Sequence, residues 1–269
     1  MQLVLSLYPG IDLLGRAFEA AGFCIVRGPD LIWGCSIETF NAPAGKFDGI
    51  IAGSPCQDFS QARRAAATGD GEEQLRQFLR IVKEARPEWW LLENVPHVPD
   101  LRLEGYGVQR FDLRASECGA RQSRLRHFQF GSRSGRVLEI QRIPRHPSAR
   151  AGGTLAPCVL ASEARRPGRR SFADFCELQG LSRDFDLPGW SLAAKYRAVG
   201  NGVPLQMGAV IAAAIRDATR ARKPRKVTDV TFCVCGCGRV LEGRRETATD
   251  ACRKRRERAN KTPRPVITI

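Results

Sequence analysis

Two short apolar runs decide what this chain can fold into. Phe47-Asp48-Gly49-Ile50-Ile51-Ala52 is followed by Gly53-Ser54-Pro55 and then Cys56, and Trp89-Trp90-Leu91-Leu92 leads straight into Glu93-Asn94-Val95-Pro96. Each reads as a buried strand that stops at a Gly or Pro signal and carries one reactive side chain at its end. In an open α/β sheet the carboxyl ends of the strands form the edge where ligands bind. A thiol and a carboxyl delivered there together are the parts needed for nucleophilic attack with acid assistance.

The remaining pattern agrees with such a sheet. Residues 3–8 are strand-like, Pro9-Gly10 marks a turn, and residues 13–21 have apolar side chains at helical spacing before Gly22. A second strand is expected at residues 23–26, and Leu75, Phe78, Leu79 and Val82 share one face of a helix that Pro87 stops. Strands alternating with helices predict an α/β fold with a doubly wound, mostly parallel sheet. Residues 132–170 lose periodicity and become rich in Arg, Pro, Gly and Ala, which reads as a loop-rich basic insert. Regular structure resumes at residues 171–222, with Ser171 as an N-cap and an apolar-faced helix over residues 207–222. Residues 223–230 read as a linker to a basic, Cys-rich tail that runs to residue 269.

With 269 residues, 43% of them hydrophobic, the chain can bury a full domain core and a small appendage. It has no run of 18 apolar residues and no signal-peptide pattern, so a cytoplasmic protein that does not meet the membrane is expected. Ten cysteines then point to free thiols, a catalytic thiol or a metal rather than a disulfide framework. The net charge of +15 is concentrated between Arg142 and Arg170 and at Arg253-Lys254-Arg255-Arg256, which points to a polyanion and most simply to nucleic acid.

Five blocks occur in a telling order: Leu7-Tyr8-Pro9-Gly10-Ile11-Asp12, Pro55-Cys56-Gln57, Glu93-Asn94-Val95, Gln122-Ser123-Arg124-Leu125-Arg126 and Gly200-Asn201-Gly202-Val203-Pro204. Together they resemble the cytosine-C5 DNA methyltransferase family over roughly residues 4–215. The resemblance implies a Rossmann-like methyltransferase fold, S-adenosyl-L-methionine as methyl donor, and double-stranded DNA as substrate, with the target cytosine flipped out of the helix. It also implies a catalytic core at residues 1–131, a short target-recognition insert at 132–170 and a return segment at 171–222. A monomer is expected, together with a cognate restriction endonuclease as biological partner. The same chemistry on tRNA, and a DNA-binding relative with weak or no turnover, are the alternative readings.

The chemistry assigns the roles. C5 of cytosine is a poor nucleophile until a thiolate adds at C6. Cys56 is that nucleophile, and turn amides or nearby cations are expected to favour its thiolate over a free thiol of pKa about 8.5. Glu93 is the acid at N3, with a pKa raised by enclosure between apolar strands. Gln122, Arg124 and Arg126 alternate, so a strand would aim them to one face. The resemblance gives Arg126 the O2 edge of the base, Arg124 a hold on Glu93 or a phosphate, and Gln122 a DNA contact. It places Leu7, Tyr8, Pro9, Gly10, Ile11, Ser36, Pro55, Asn201 and Gly202 around the cofactor. Gln57, Ser60, Arg63 and Arg64 fall in the loop after Cys56 and are expected to meet DNA. The chain departs from the family at Ser6 and Ser36, where acids are usual, and at Asp12, where a second glycine is common. Asp30 is the nearest acid to the expected ribose-binding position.

The tail carries Cys233-Val234-Cys235-Gly236-Cys237 and a distant Cys252, four thiols that would complete a tetrahedral zinc site. The three closely alternating cysteines are not a plain CxxC pair. A reduced, metal-free basic tail is the competing expectation.

Overall fold

The computed structural model describes residues 1–59, 68–143, 155–221, 226–235, 237–241, 245–259 and 265–269. Four parallel strands make the heart of the sheet: β1 (Leu3–Leu7), β2 (Cys24–Arg27), β3 (Gly49–Gly53) and β4 (Trp89–Asn94). β5 (Asp100–Arg102) lies outside it. β6 (Gly107–Arg114) and β7 (Leu125–Ser132) complete the order β2-β1-β3-β4-β7-β6, with β7 antiparallel to both of its neighbours. The fold is α/β, a mostly parallel doubly wound sheet of Rossmann-like type.

Alternation along the strands sends side chains to two cores. Val4, Ile51, Trp89 and Leu91 pack with α1 (Leu13–Ala20) and α5 (Leu205–Arg220). Leu5, Ile50, Trp90 and Leu92 pack on the other face with α2 (Asp70–Ala85), which buries Leu75, Phe78, Leu79, Ile81 and Val82. Each such side chain contributes roughly 1.5–3 kcal/mol by leaving water. The two tryptophans fit because glycines face them. A Cβ on Gly49 would stand 2.2 Å from the Trp89 ring, and one on Gly131 would stand 2.1 Å from Trp90.

A smaller lobe forms from α3 (Phe172–Leu178) and α4 (Leu192–Asn201), closed by Phe175, Tyr196 and Val199 against Ile11 and Leu13. Ser171 caps α3 by accepting from Asp174 N. Residues 192–220 are apolar enough to cross a membrane, yet they form two helices, 61% of the most apolar window is buried, and α5 packs on α1.

The tail is docked on the domain. β8 (Thr231–Phe232) and β9 (Val240–Leu241) form a hairpin, α6 (Asp250–Ala259) follows, and β10 (Val266–Thr268) pairs in parallel with β5. The stretch expected to be a linker is attached as well: Lys226 bridges Arg136, and Val227 N donates to Gly135 O at 2.7 Å. Period and composition could not foresee these contacts, because they join segments 90 residues or more apart.

Candidate active site

The β1–α1 turn is a strained piece of backbone. Tyr8, Gly10 and Asp12 all have positive φ, at 53°, 55° and 57°. The two non-glycine residues carry the cost of that conformation, of order 1–3 kcal/mol each. Local bonds hold it. Gly10 N donates to Asp30 Oδ2 at 2.8 Å, and Asp12 caps α1 by accepting from Gly15 N at 3.0 Å. Asp12 Oδ1 also accepts from Ser6 Oγ at 2.9 Å, while Arg27 Nε lies 3.0 Å from Oδ2. A buried carboxylate therefore stands against Ser6 after all, brought by Asp12 rather than by position 6. Asp30 holds backbone with both oxygens, its Oδ1 accepting from Ile32 N at 2.9 Å.

This turn forms one wall of a cavity of about 690 Å³. Leu7, Tyr8, Pro9, Gly10, Ile11, Ser36, Pro55, Asn201 and Gly202 all line it, and so do Cys56, Gln57, Glu93 and Arg126. Strand register explains the meeting of thiol and acid. β3 and β4 are parallel with Gly53 opposite Glu93, so Cys56 lies just beyond the same edge. A tie between the two strand exits fixes their separation: Asn94 Nδ2 donates to Ser54 Oγ at 2.9 Å, and Asn94 Oδ1 accepts from Val95 N at 2.7 Å. Gly202 is confined because a Cβ there would be 2.6 Å from Leu13.

The charges are arranged around Glu93, whose side chain is 9% exposed. Arg126 Nε approaches its Oε1 to 2.9 Å. Burial pushes the Glu93 carboxyl up, and Arg126 and Arg124 pull against that shift. Cys56 is half-buried, and its thiol is pushed up too, by burial first and then by the charge of Glu93, with both arginines opposing. This corrects the expectation of a thiolate favoured at rest: desolvation and the neighbouring anion outweigh the cations.

Two further expectations change. Arg126, not Arg124, holds Glu93. Arg124 precedes β7, is 1% exposed, and ties the insert to the return segment by donating to Val159 O at 3.1 Å and Gly202 O at 3.2 Å. Burial and the neighbouring Arg126 push it down to about 10. Gln122, expected to contact DNA, is fully buried and offers no exposed surface. It donates to Leu178 O at 2.6 Å and to Gln179 Oε1 at 2.8 Å, and it accepts from Val159 N at 3.3 Å. The expected alternation fails because β7 starts only at Leu125, so Gln122 and Arg124 belong to a crossing between lobes.

Gln179 was missed by sequence reasoning. It joins this network by donating to Val199 O at 2.7 Å and Gly202 O at 2.8 Å. Its only signal is a polar residue at the end of an apolar helix. Asp58, in the loop after Cys56, accepts from Gly71 N at 2.9 Å and Thr68 N at 3.1 Å, joining the two ends of that loop.

Gln57 is exposed at the cavity mouth. Ser60, Arg63 and Arg64 lie outside the described residues, as do Arg145 and Arg150 of the insert. Arg142 and Arg170 are engaged by Glu117 and Glu163, whereas Arg165 and Arg166 are exposed.

In the tail, the sulfurs of Cys233, Cys235, Cys237 and Cys252 lie within 4.8 Å of one another, and all four residues are buried. Cys235, whose place in a ligand set the spacing left open, is one of them.

Residues 35–154 match the family of C-5 cytosine-specific DNA methylases. Type II methyltransferase M.HgiDI of Herpetosiphon aurantiacus is 30% identical over 171 residues, covering 52% of this chain and 55% of that protein. M.HindV of Haemophilus influenzae is 34% identical over 152 residues, covering 45% and 50%. The chain thus spans about half the length of these curated relatives. In fold it is similar to the Entamoeba histolytica methyltransferase EhMeth, with a TM-score of 0.58 at 12% identity over 82% of this chain and 99% of that one. It is likewise similar to the S. pombe Dnmt2 methyltransferase, with a TM-score of 0.56 at 14% identity over 80% and 99%. The matched segment contains both Cys56 and Glu93, and over it the chain is similar to C-5 cytosine-specific DNA methylases.

Proposed function

We propose that this chain transfers a methyl group from S-adenosyl-L-methionine to C5 of cytosine in double-stranded DNA. The observation that carries the reading is the single cavity shared by Cys56, Glu93, Arg126, the β1–α1 turn and Gly202. The donor supplies an electrophilic methyl group when bound. Its pocket would be formed by the backbone of residues 7–11, with Ser36, Pro55, Asn201 and Gly202 around it.

The chain's own groups account for the activation of the base. Burial opposes charge on both groups, and a charge on Glu93 further opposes ionisation of Cys56. The reactive form has a thiolate at Cys56 and a proton on Glu93. Sulfur adds to C6 of a cytosine extruded from the duplex, and the electron pair moves through C4 to N3, where the Glu93 proton is received. The resulting enamine is nucleophilic at C5. After methylation the C5 proton passes to a solvent base, the S–C6 bond breaks, and N3 returns its proton to Glu93. Arg126 orients Glu93 and stabilises the charge that develops beside it. Arg124 acts through position, keeping Gly202 and Val159 in register.

The four-thiol cluster fits zinc. Bonds of about 2.3 Å to a tetrahedral ion put sulfurs about 3.8 Å apart. Cys233 and Cys235 are 3.4 Å apart here, and Cys237 and Cys252 are 3.7 Å apart. The exposed Arg165, Arg166, Arg253 and Lys254 are suited to phosphate contacts. A companion restriction endonuclease is the natural biological partner, since M.HgiDI and M.HindV are type II methyltransferases.

Bisulfite sequencing of DNA from cells expressing the chain tests the reading. Protected cytosines in a fixed short context, absent for Cys56→Ser, are expected. Methyl incorporation into tRNA but not duplex DNA would replace the substrate, and duplex binding with no incorporation anywhere would leave a DNA-binding relative.

A further inference from the structure

Glu117 stands where three parts of the molecule meet. It lies in the 3-10 turn Ala115–Cys118 after β6. Its Oε1 accepts from Arg239 Nη2 at 2.8 Å, two residues beyond Cys237 in the tail. Its Oε2 accepts from Arg142 Nη1 at 3.0 Å and from Arg114 N at 2.9 Å. Its backbone carbonyl accepts from Ile143 N at 2.8 Å. Arg142 Nη2 reaches on to Cys237 O at 3.3 Å, and Arg239 Nη1 lies 3.6 Å from Cys252 Sγ. One carboxylate thus joins the thiol cluster to the part of the insert at Arg142 and Ile143. The backbone contact is just as close. A Cβ on Gly238 would stand 2.1 Å from Arg110 O, so the loop that carries Cys237 lies directly on β6.

Among the described residues the thiol module has only a small apolar core of its own. Its buried cluster consists of the four cysteines and Leu241, with Ala248 against them. So small a core cannot fix these loops by apolar burial, and structural metals provide the missing free energy in such modules. A divalent ion with four thiolates carries a net charge of −2, and Arg239 is placed to offset part of it.

We propose that the tail is a metal-dependent brace for the target-recognition insert. Metal held by Cys233, Cys235, Cys237 and Cys252 fixes Cys237 and Arg239, and these keep Glu117, Arg142 and Ile143 in the arrangement that reads DNA. The proposal rests on the zinc and DNA readings above but goes beyond both, since it couples metal occupancy to substrate recognition.

The test uses the full chain, with zinc content from elemental mass spectrometry, amide hydrogen exchange over residues 137–143, and methylation kinetics on plasmid DNA. One zinc per chain is expected. Chelation should accelerate exchange at residues 137–143 and raise the KM for plasmid about five- to tenfold, with the KM for S-adenosyl-L-methionine unchanged. Glu117→Gln and Arg239→Gln should keep the zinc and reproduce both effects, which covers the case in which chelation unfolds the chain. A protein that neither purifies with zinc nor takes it up overturns the metal reading. Bound zinc with unchanged exchange and unchanged plasmid KM in both variants overturns the brace alone. The exchange measurement decides even if plasmid DNA proves not to be methylated.

Discussion

Cysteine sits in two opposite settings at the two ends of this molecule. Cys56 is half-buried beside one carboxylate and opens onto a cavity of about 690 Å³. The four tail cysteines are fully buried, face one another, and make up nearly the whole of their own core. The difference lies in what surrounds the sulfur. Cys56 is carried by strands buried on both faces by two large apolar clusters, so its position is fixed without its help and its sulfur is left for chemistry. Among its described residues the tail shows no comparable core, and its sulfurs occupy the centre of the one it has. A rigid sheet edge can present a reactive group, whereas a small module has to use its reactive groups to exist.

The sharpest way to break this contrast is to exchange sulfur for oxygen at each end. Cys56→Ser should lower methylation by about a thousandfold or more while leaving the melting temperature and DNA binding intact, as turnover assays beside calorimetry will register. Cys237→Ser should do the reverse: zinc is lost and exchange protection in the tail collapses, while Cys56 still alkylates. If the tail mutant keeps its protection, the tail is not built by its sulfurs.

Arg126→Ala comes next, with an expected loss of about 10²–10³ in kcat, the scale for removing one preorganised charge-stabilising group. A change confined to the KM for DNA would make Arg126 a phosphate contact. A smaller effect concerns the resting thiol. Glu93 raises the Cys56 pKa, so Glu93→Gln should lower it and speed alkylation by iodoacetamide severalfold near neutral pH. In the unmutated chain the alkylation midpoint should lie above the ordinary thiol value. A midpoint below it would mean that the arginines prevail over burial. The smallest expected effect on function is that of Gln122→Ala. It leaves buried partners unpaired, costing about 1–3 kcal/mol of stability. The salt dependence of DNA binding should not move, whereas loss of a phosphate contact would lower its slope by about 0.9.

The sheet edge that brings Cys56 and Glu93 together was legible because its signals are local. A strand exit marked by Gly53-Ser54-Pro55 or by Val95-Pro96 announces itself over a few residues, and the two runs predict both the strands and what they deliver. Gln122 and Arg124 were misread for the same reason. Alternation suggested a strand, but their side chains are claimed by Val159, Gln179 and Gly202, 35 to 78 residues away, which no local period encodes. The swap at Ser6 shows the same limit. The acid expected there is supplied in space by Asp12, visible only once the turn is folded. Docking of the tail through Glu117, Gly238 and β10 depends wholly on such distant contacts.

The central claim is that the Cys56 sulfur bonds to C6 of an extruded cytosine while Glu93 manages the proton. Duplex DNA containing 5-fluorocytosine in the methylated context tests it most directly, because fluorine at C5 blocks release after methylation. The account predicts a stable adduct that needs S-adenosyl-L-methionine, with the modified nucleotide mapped by mass spectrometry to the peptide containing Cys56. An unmutated chain that methylates the ordinary duplex yet forms no such adduct, or forms it on another residue, would contradict it.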